Sequence, residues 1–403
     1  MSFEQRFPKF QGLDMSVYMR QTRVREKAIQ ATEAAEIKYE FRTNQKAKAL
    51  HPDVQHMTIV EIIEHKGADA KTFVMKKTDG TAAAWFRAGQ YVSVSLKIGD
   101  SVLTRPYSLC YSPKKTKEGI CAITVRNNTV DGFASSWILS NWEVGTEVTI
   151  SGPQGDFYYE PLRDRGHIVG LAGGSGITPF LAMANAVADG IEDMDLTIIF
   201  GSRDEKSILF REEFEALCEA CPRIKVVHVL SDEKAEGYEY GFITADIIKK
   251  YGGEDASVFV CGPSAMFYYE REQLALLGLA PQFTRNHLLG VTKTVWEEKD
   301  YNAECRGKQF KLTIKQYGKT YTTVASADEP ILVAIERAGI SAPSRCRSGE
   351  CGWCRSKLLE GEVFIPEDND GRRYADRVNG YIHPCSSFPV SDIVIEVPGS
   401  EFD

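Results

Sequence analysis

Cys346-Arg-Ser-Gly-Glu-Cys351-Gly-Trp-Cys354 sets three cysteines in a C-x4-C-x2-C run, and Cys385, in Gly380-Tyr-Ile-His-Pro-Cys385, follows after thirty intervening residues. This is the plant-type ligand spacing of a [2Fe–2S] cluster, in which four thiolates hold two sulfide-bridged irons. Three of the ligands must come from one short loop that folds around the cluster, and Gly349 and Gly352 allow that close approach. A structural four-cysteine zinc site usually takes two C-x2-C pairs rather than a triplet and a distant fourth ligand, so the spacing points to iron–sulfur. Such a centre handles one electron at a time. The rest of the chain must therefore supply electrons, remove them, or both.

The flanks extend this reading. Phe310-Lys-Leu-Thr-Ile alternates like a strand, and Ser326-Ala-Asp-Glu-Pro-Ile-Leu-Val-Ala-Ile-Glu-Arg-Ala-Gly339 reads as a short amphipathic helix ending in glycine. Together with the cysteine pattern, the last hundred residues resemble a plant-type ferredoxin domain. The resemblance implies a β-grasp fold with Cys346, Cys351, Cys354 and Cys385 as metal ligands.

A chain of 403 residues predicts two to four domains, and 43% hydrophobic with 26% charged residues is ordinary globular composition. No apolar run reaches the length of a membrane span, and Met1-Ser-Phe-Glu-Gln-Arg lacks a signal-peptide core, so a cytoplasmic protein is expected. The net charge of −8 argues against generic nucleic-acid binding. Disulfides are not expected among the ten cysteines.

Residues 1–52 read as a helical N-terminal extension around Thr22 to Lys38. Its first fifty residues carry ten basic and six acidic side chains, a balance that suits packing on the same protein or an acidic partner. Over 53–162, short alternating strands such as Met57-Thr-Ile-Val-Glu-Ile-Ile, Tyr91-Val-Ser-Val-Ser-Leu and Ala122-Ile-Thr-Val predict a small antiparallel barrel. Over 163–286, buried strands (Ile168 to Ala172, Leu196 to Phe200, Val226 to Leu230, Ser257 to Cys261) alternate with helical segments, predicting a doubly wound parallel α/β sheet. Residues 287–307 read as a linker to the cluster domain at 308–403.

Within the barrel, Arg105-Pro-Tyr-Ser108 offers a charge for phosphate, a flat ring for an aromatic ligand and a hydroxyl for a ring nitrogen. Downstream, Gly132-Phe-Ala-Ser135 predicts a turn and helix N-terminus suited to pyrophosphate. In the sheet domain, Gly173-Gly-Ser-Gly176-Ile-Thr-Pro179 joins strand to helix with residues small enough for the backbone to approach a phosphate. Cys261-Gly-Pro263 ends a later strand at the same edge.

In this order and spacing the four motifs resemble those of the ferredoxin–NADP reductase superfamily, over about 55 to 285. With the C-terminal cluster domain, the whole resembles the reductase components of multicomponent oxygenases and demethylases. The resemblance implies FAD, chosen over FMN because of the Gly132 segment, bound through Arg105, Tyr107, Ser108, Gly132 and Ser135. It implies NADH or NADPH on Gly173, Gly174, Gly176 and Thr178, with Cys261 and Gly262 near the nicotinamide. Tyr107, Ser108 and Cys261 would stand at the reacting rings. Arg203 would suit a 2′-phosphate, but neighbouring Asp204 leaves NADH and NADPH undivided. A nicotinamide gives two electrons at once and the cluster takes one, so flavin is the natural converter between them. The expected acceptor is a separate redox protein; the alternatives are a self-contained flavin reductase and a redox-sensing subunit.

Two departures stand out. Relatives often close the flavin–nicotinamide module with an acidic-x-aromatic segment, where this chain has Thr284-Arg-Asn-His-Leu-Leu-Gly290. Cys218-Glu-Ala-Cys221 has no second pair and reads as packing. His287 and His383 read as solvent-facing, the commoner case, with tuning of a redox centre as the alternative, and Tyr111 as either an adenine platform or a packed ring.

Overall fold

The computed structural model describes residues 12–31, 42–127, 132–253, 255–288 and 290–400. One-sided burial turns the alternating segments into antiparallel strands: β1 (Val54–His65), β2 (Ala70–Lys77), β3 (Tyr91–Ile98), β4 (Ser101–Ser108), β5 (Ile120–Arg126) and β6 (Glu147–Ser151). They form a sheet in the order β4-β3-β6-β1-β2-β5, with a bulge between Ile59 and Glu61 bending β1. Pairing of Leu109 with Ile123 joins the two outer edges and curls the sheet into a barrel around Phe73, Val94, Ile123 and Ile150.

The continuous apolar runs become parallel strands, because such strands are covered on both faces. β7 (His167–Gly173), β8 (Asp195–Ser202), β9 (Ile224–Leu230), β10 (Glu239–Tyr240), β11 (Ser257–Gly262) and β12 (Thr284–Leu288) lie in the order β10-β9-β8-β7-β11-β12. Helices Thr178–Ala188, Arg211–Ala220, Ala245–Gly252 and Ser264–Leu276 accompany them. The chain steps from β7 outward to β10 and then returns to the other side of β7. The topological switch point therefore falls between β7 and β11, where ligands bind in such sheets.

The third sheet is built from β13 (Gln309–Gln316), β14 (Lys319–Ser326), β15 (Ser356–Glu360), β17 (Tyr381–Ile382) and β19 (Ile393–Glu396) in the order β14-β13-β19-β15-β17, beside a small β16 (Val363–Phe364) and β18 (Phe388–Pro389) pair. Helix Ile331–Arg337 packs Ile331 and Ile335 onto Leu312, Ile314 and Ile395 of this sheet.

Two expectations need correction. The helix read from Ser326 to Gly339 is confined to Ile331–Arg337: Ser326 ends β14, and Pro330 holds an extended conformation at the helix cap. His287 and Leu288, read as the start of the linker, pair with Cys261 and Gly262 as the end of β12. Near the N-terminus, helix Gly12–Ala31 covers 22–31 of the helix expected over Thr22 to Lys38, of which 32–38 lies outside the described residues, and a second helix spans Arg42–Leu50. The described residues up to Ala49 form a unit of their own, whose first helix exposes Met15, Tyr18, Val24 and Ile29. No helix among the described residues is long and apolar enough to cross a membrane.

Candidate functional site

The switch point brings two of the sequence motifs together. Gly173 to Gly176 follow β7 and Cys261-Gly262 ends the adjacent β11, in such close approach that a side chain on Gly176 would collide with the Cys261 carbonyl oxygen. Helix Thr178–Ala188 starts here, with Pro179 in its first turn and Thr178 Oγ1 donating to Ser175 O at 2.9 Å. The Gly174–Ile177 turn runs directly into this helix, with the Thr178 N–H donating to Ser175 O, so the positive end of the helix dipole lies at the glycine corner and suits an anion. Burial pushes the Cys261 thiol pKa up, so it stands there as a neutral S–H.

Next to this corner, β8 ends at Ser202, whose buried Oγ has no hydrogen-bond partner among the described residues, followed by exposed Arg203. Arg126, at the end of β5, reaches across: a Cβ on Gly174 would lie 2.8 Å from its Nη1. Burial and then the nearby Arg203 lower the Arg126 pKa, with Asp69 opposing them. Asp204 is already engaged. Its Oδ1 accepts the Ser207 N–H at 2.9 Å and caps the following turn. Arg126 carries no sequence motif, being the last residue of an alternating strand, and only the fold gives it meaning.

Along β4, Arg105 and Tyr107 lie on one side of the strand and Ser108 is buried on the other. Burial raises the Tyr107 pKa, leaving a neutral hydroxyl. Gly132 caps helix Phe133–Asn141, and Ser135 Oγ donates to Gly132 O at 3.1 Å. A cleft of about 390 Å³ opens along that helix, lined by His65, Asp69, Asn127, Ser136, Leu139 and Ser140. Tyr111, Cys218 and Cys221 all pack against the continuous core that spans the barrel and the parallel sheet. Arg105 Nη1 donates to Thr104 O at 2.8 Å and stands 3.3 Å from Glu336 Oε2 of the cluster domain.

The four candidate ligands converge. Cys354 Sγ lies 3.4 Å from Cys385 Sγ, while the backbone N–H groups of Cys351 and Trp353 approach Cys346 Sγ and Cys351 Sγ at 3.4 Å. Thiol donors at Cys351 and Cys385 draw the Cys346 pKa strongly down. Gly349 and Gly352 both take positive φ, 85° and 71°, which the tight loop requires. Cys351 is exposed and the other three are buried. His383, expected in solvent, is only 1% exposed, with Nδ1 donating to Gly349 O at 2.8 Å to brace the loop.

The three regions meet at Tyr91 and His287. Tyr91 pairs with Ser108 across β3 and β4, and His287 pairs with Cys261 across β12 and β11. The two rings lie 5.8 Å apart, and Phe157 stands 5.3 Å from His287. Burial raises the Tyr91 pKa, with Cys346 and Cys351 adding to it. Burial also lowers His287 to about 4, against weaker contributions from Cys346 and Asp156. His287 is therefore a neutral ring at the junction of barrel, sheet and cluster loop. The isolated sequence misplaced it because nothing in its neighbours along the chain announces the packing.

The donor chemistry fits the groups expected. Four converging sulfurs with N–H groups directed at them match a thiolate-ligated cluster. An orphaned hydroxyl and two arginines beside a glycine corner match a dinucleotide.

Comparison with known proteins agrees. Family models for an oxidoreductase FAD-binding domain, an oxidoreductase NAD-binding domain and a 2Fe-2S iron-sulfur cluster binding domain match residues 57–159, 171–271 and 314–390. The ferredoxin reductase component of 3-ketosteroid-9-alpha-monooxygenase from Mycobacterium tuberculosis is 30% identical, over 85% of this chain and 95% of that protein. The glycine betaine monooxygenase reductase subunit from Chromohalobacter salexigens is 27% identical, over 81% of this chain and 91% of that protein. In fold, the chain is similar to phthalate dioxygenase reductase, with a TM-score of 0.62 at 22% identity over 85% of this chain and 98% of that one. The chain belongs to the ferredoxin–NADP reductase superfamily, in the branch with a C-terminal [2Fe–2S] ferredoxin domain, and is an NAD(P)H-dependent oxidoreductase using FAD and the cluster for electron transfer.

Proposed function

We propose that this chain is the reductase component of an oxygenase system, taking hydride from NADPH and delivering electrons singly to a separate oxygenase. The observation that carries this is the meeting of the nicotinamide corner (Cys261), the flavin strand (Ser108) and the cluster loop (Cys346) around Tyr91 and His287. The oxygenase partner is supported by the relatives, two of which are reductase components of monooxygenases. A cytoplasmic location agrees with ten free cysteines.

Bound flavin supplies the conversion of a hydride into single electrons, and the cluster supplies the one-electron exit. The residues of the chain place and shield these groups. Arg105 would neutralise the flavin phosphate, Tyr107 would offer a ring to the isoalloxazine and Ser108 a hydroxyl, and the Gly132 to Ser135 turn would hold the pyrophosphate. Gly173, Gly174 and Gly176 would present backbone N–H groups to the nicotinamide dinucleotide, with Thr178 bracing the turn through Ser175 O. Cys261 and Gly262 would line the nicotinamide side of the site without adding charge. Cys346, Cys351, Cys354 and Cys385 hold the cluster, and exposed Cys351 marks the exit side.

NADPH is favoured over NADH because Arg203 and Arg126 converge beside the glycine corner while Asp204 is committed to capping its own turn. Anaerobic stopped-flow mixing with each nucleotide tests the reading. Fast flavin bleaching by NADPH, followed by a reduced-cluster EPR signal, is expected. Bleaching without cluster reduction would make the chain a self-contained flavin reductase.

A further inference from the structure

A buried carboxylate links the strand that carries the flavin motif to the loop that carries the cluster ligands. Glu336, near the end of helix Ile331–Arg337, has a side chain only 5% exposed. Its Oε1 meets Arg347 Nη1 at 2.5 Å, its Oε2 accepts from Arg347 Nη2 at 3.1 Å, and the same Oε2 stands 3.3 Å from Arg105 Nη1. Arg347 directly follows Cys346 and takes a left-handed φ of 57°, a conformation a non-glycine residue adopts only when its surroundings hold it. The seam around this triad is also polar: Thr104 Oγ1 reaches Ser344 O at 3.0 Å, Ser93 Oγ reaches Arg345 O at 3.4 Å, and a side chain on Gly339 would lie 2.8 Å from Asp100 O.

We propose that Glu336 is a positioning residue for electron delivery, clamping Arg105 of the flavin strand and Arg347 of the cluster loop so that flavin and cluster keep one fixed separation. Burial, and after it repulsion from the Arg347 guanidinium, lower the Arg105 pKa, and Glu336 is the anion set between the two cations. Removing a central anion from such a buried triad leaves two like charges facing each other, which the local structure relieves by moving apart. That movement separates β4 from the loop beginning at Cys346. Hydride transfer at the switch point involves neither Glu336 nor Arg347. The clamp therefore acts on the second electron-transfer step and not on the first.

This rests on the reading that electrons pass from flavin to cluster, and the test separates the two ideas. Holoprotein with Glu336→Gln is mixed anaerobically with NADPH while flavin bleaching and cluster reduction are followed as separate phases. Bleaching at the unaltered rate with cluster reduction at least about tenfold slower is expected, since small misplacements cost rates of this order. Glu336→Asp, which keeps the charge, is expected to recover part of the loss. Cluster reduction at the unaltered rate, or an equal fall in both phases, would overturn the proposal. If Glu336→Gln fails to accumulate as holoprotein, Arg347→Gln keeps the Arg105 contact and is expected to show the same split; an unaltered second phase there overturns the clamp as well. Failure of the unaltered protein to reduce its cluster at all would instead bring down the underlying electron order, and the clamp with it.

Discussion

Thr104 Oγ1 lies 2.6 Å from Ser344 Oγ, joining β4 of the barrel to the residue two places before Cys346. Both side chains are buried at the seam, at 4% and 1% exposure. Thr104→Val keeps the shape but leaves the Ser344 hydroxyl and carbonyl short of a partner, a loss of about 1–3 kcal/mol. Thermal unfolding followed through the cluster's visible absorption is expected to show a lowered midpoint, with Thr104→Ser close to the unaltered protein. Equal midpoints for all three would show that this contact adds nothing to stability.

Cys351 is the exposed member of the four sulfurs, so its replacement disturbs the core least. Cys351→Ser is expected to abolish the [2Fe–2S] EPR signal and the reduction of a one-electron acceptor such as cytochrome c, while NADPH still bleaches the flavin. Undiminished cytochrome c reduction would place the electron exit at the flavin.

Gly176 approaches the Cys261 carbonyl so closely that alanine cannot fit without displacing the loop. Loss of one backbone hydrogen bond to a phosphate costs about 1.5–3 kcal/mol, so Gly176→Ala is expected to raise the KM for NADPH tenfold or more. Flavin and cluster content, read from the visible spectrum, are expected to stay unchanged.

Arg203 decides the donor if the 2′-phosphate sits between it and Arg126. Arg203→Ala is expected to lower kcat/KM for NADPH by about ten- to a hundredfold, the scale of a charge-assisted hydrogen bond, with NADH little affected. Steady-state kinetics with both nucleotides gives the ratio directly. An equal effect on both would assign Arg203 to the shared pyrophosphate.

Glu270, on helix Ser264–Leu276, is 2% exposed, and its Oε2 has no hydrogen-bond partner among the described residues. Burial raises its pKa to about 8 from an ordinary 4.5. The folded protein therefore keeps a proton that the unfolded chain releases above pH 4.5, and stability falls as pH rises through that window until it levels above pH 8. Glu270→Gln is expected to flatten this slope and to be more stable than the unaltered protein at pH 9 by about 2–4 kcal/mol. Urea unfolding at a series of pH values measures it; identical slopes would show that Glu270 ionises freely.

The cluster loop, the glycine corner and the barrel-then-sheet order were legible because each is carried by residues close together in sequence. Cysteine spacing states which thiols one loop can present, period-two alternation marks strands covered on one face, and uninterrupted apolar runs mark strands covered on both. Cys261 and Gly176 were legible as motifs but not as neighbours; the crossover that sets β11 beside β7 makes them so. His383 and His287 were misplaced because a histidine beside polar or loop residues gives no sign of what will close over it.

What the sequence determined by itself was the set of chemical groups and the three folds that present them, since both follow from local pattern. What only the tertiary structure decided was how those groups are arranged against each other: Arg126 over the glycine corner, His287 against Tyr91, and Glu336 between Arg105 and Arg347. Arg105 and Glu336 stand 231 positions apart, and the packing of the cluster-domain sheet against the barrel, which must pair the charges it buries, is what brings them into contact.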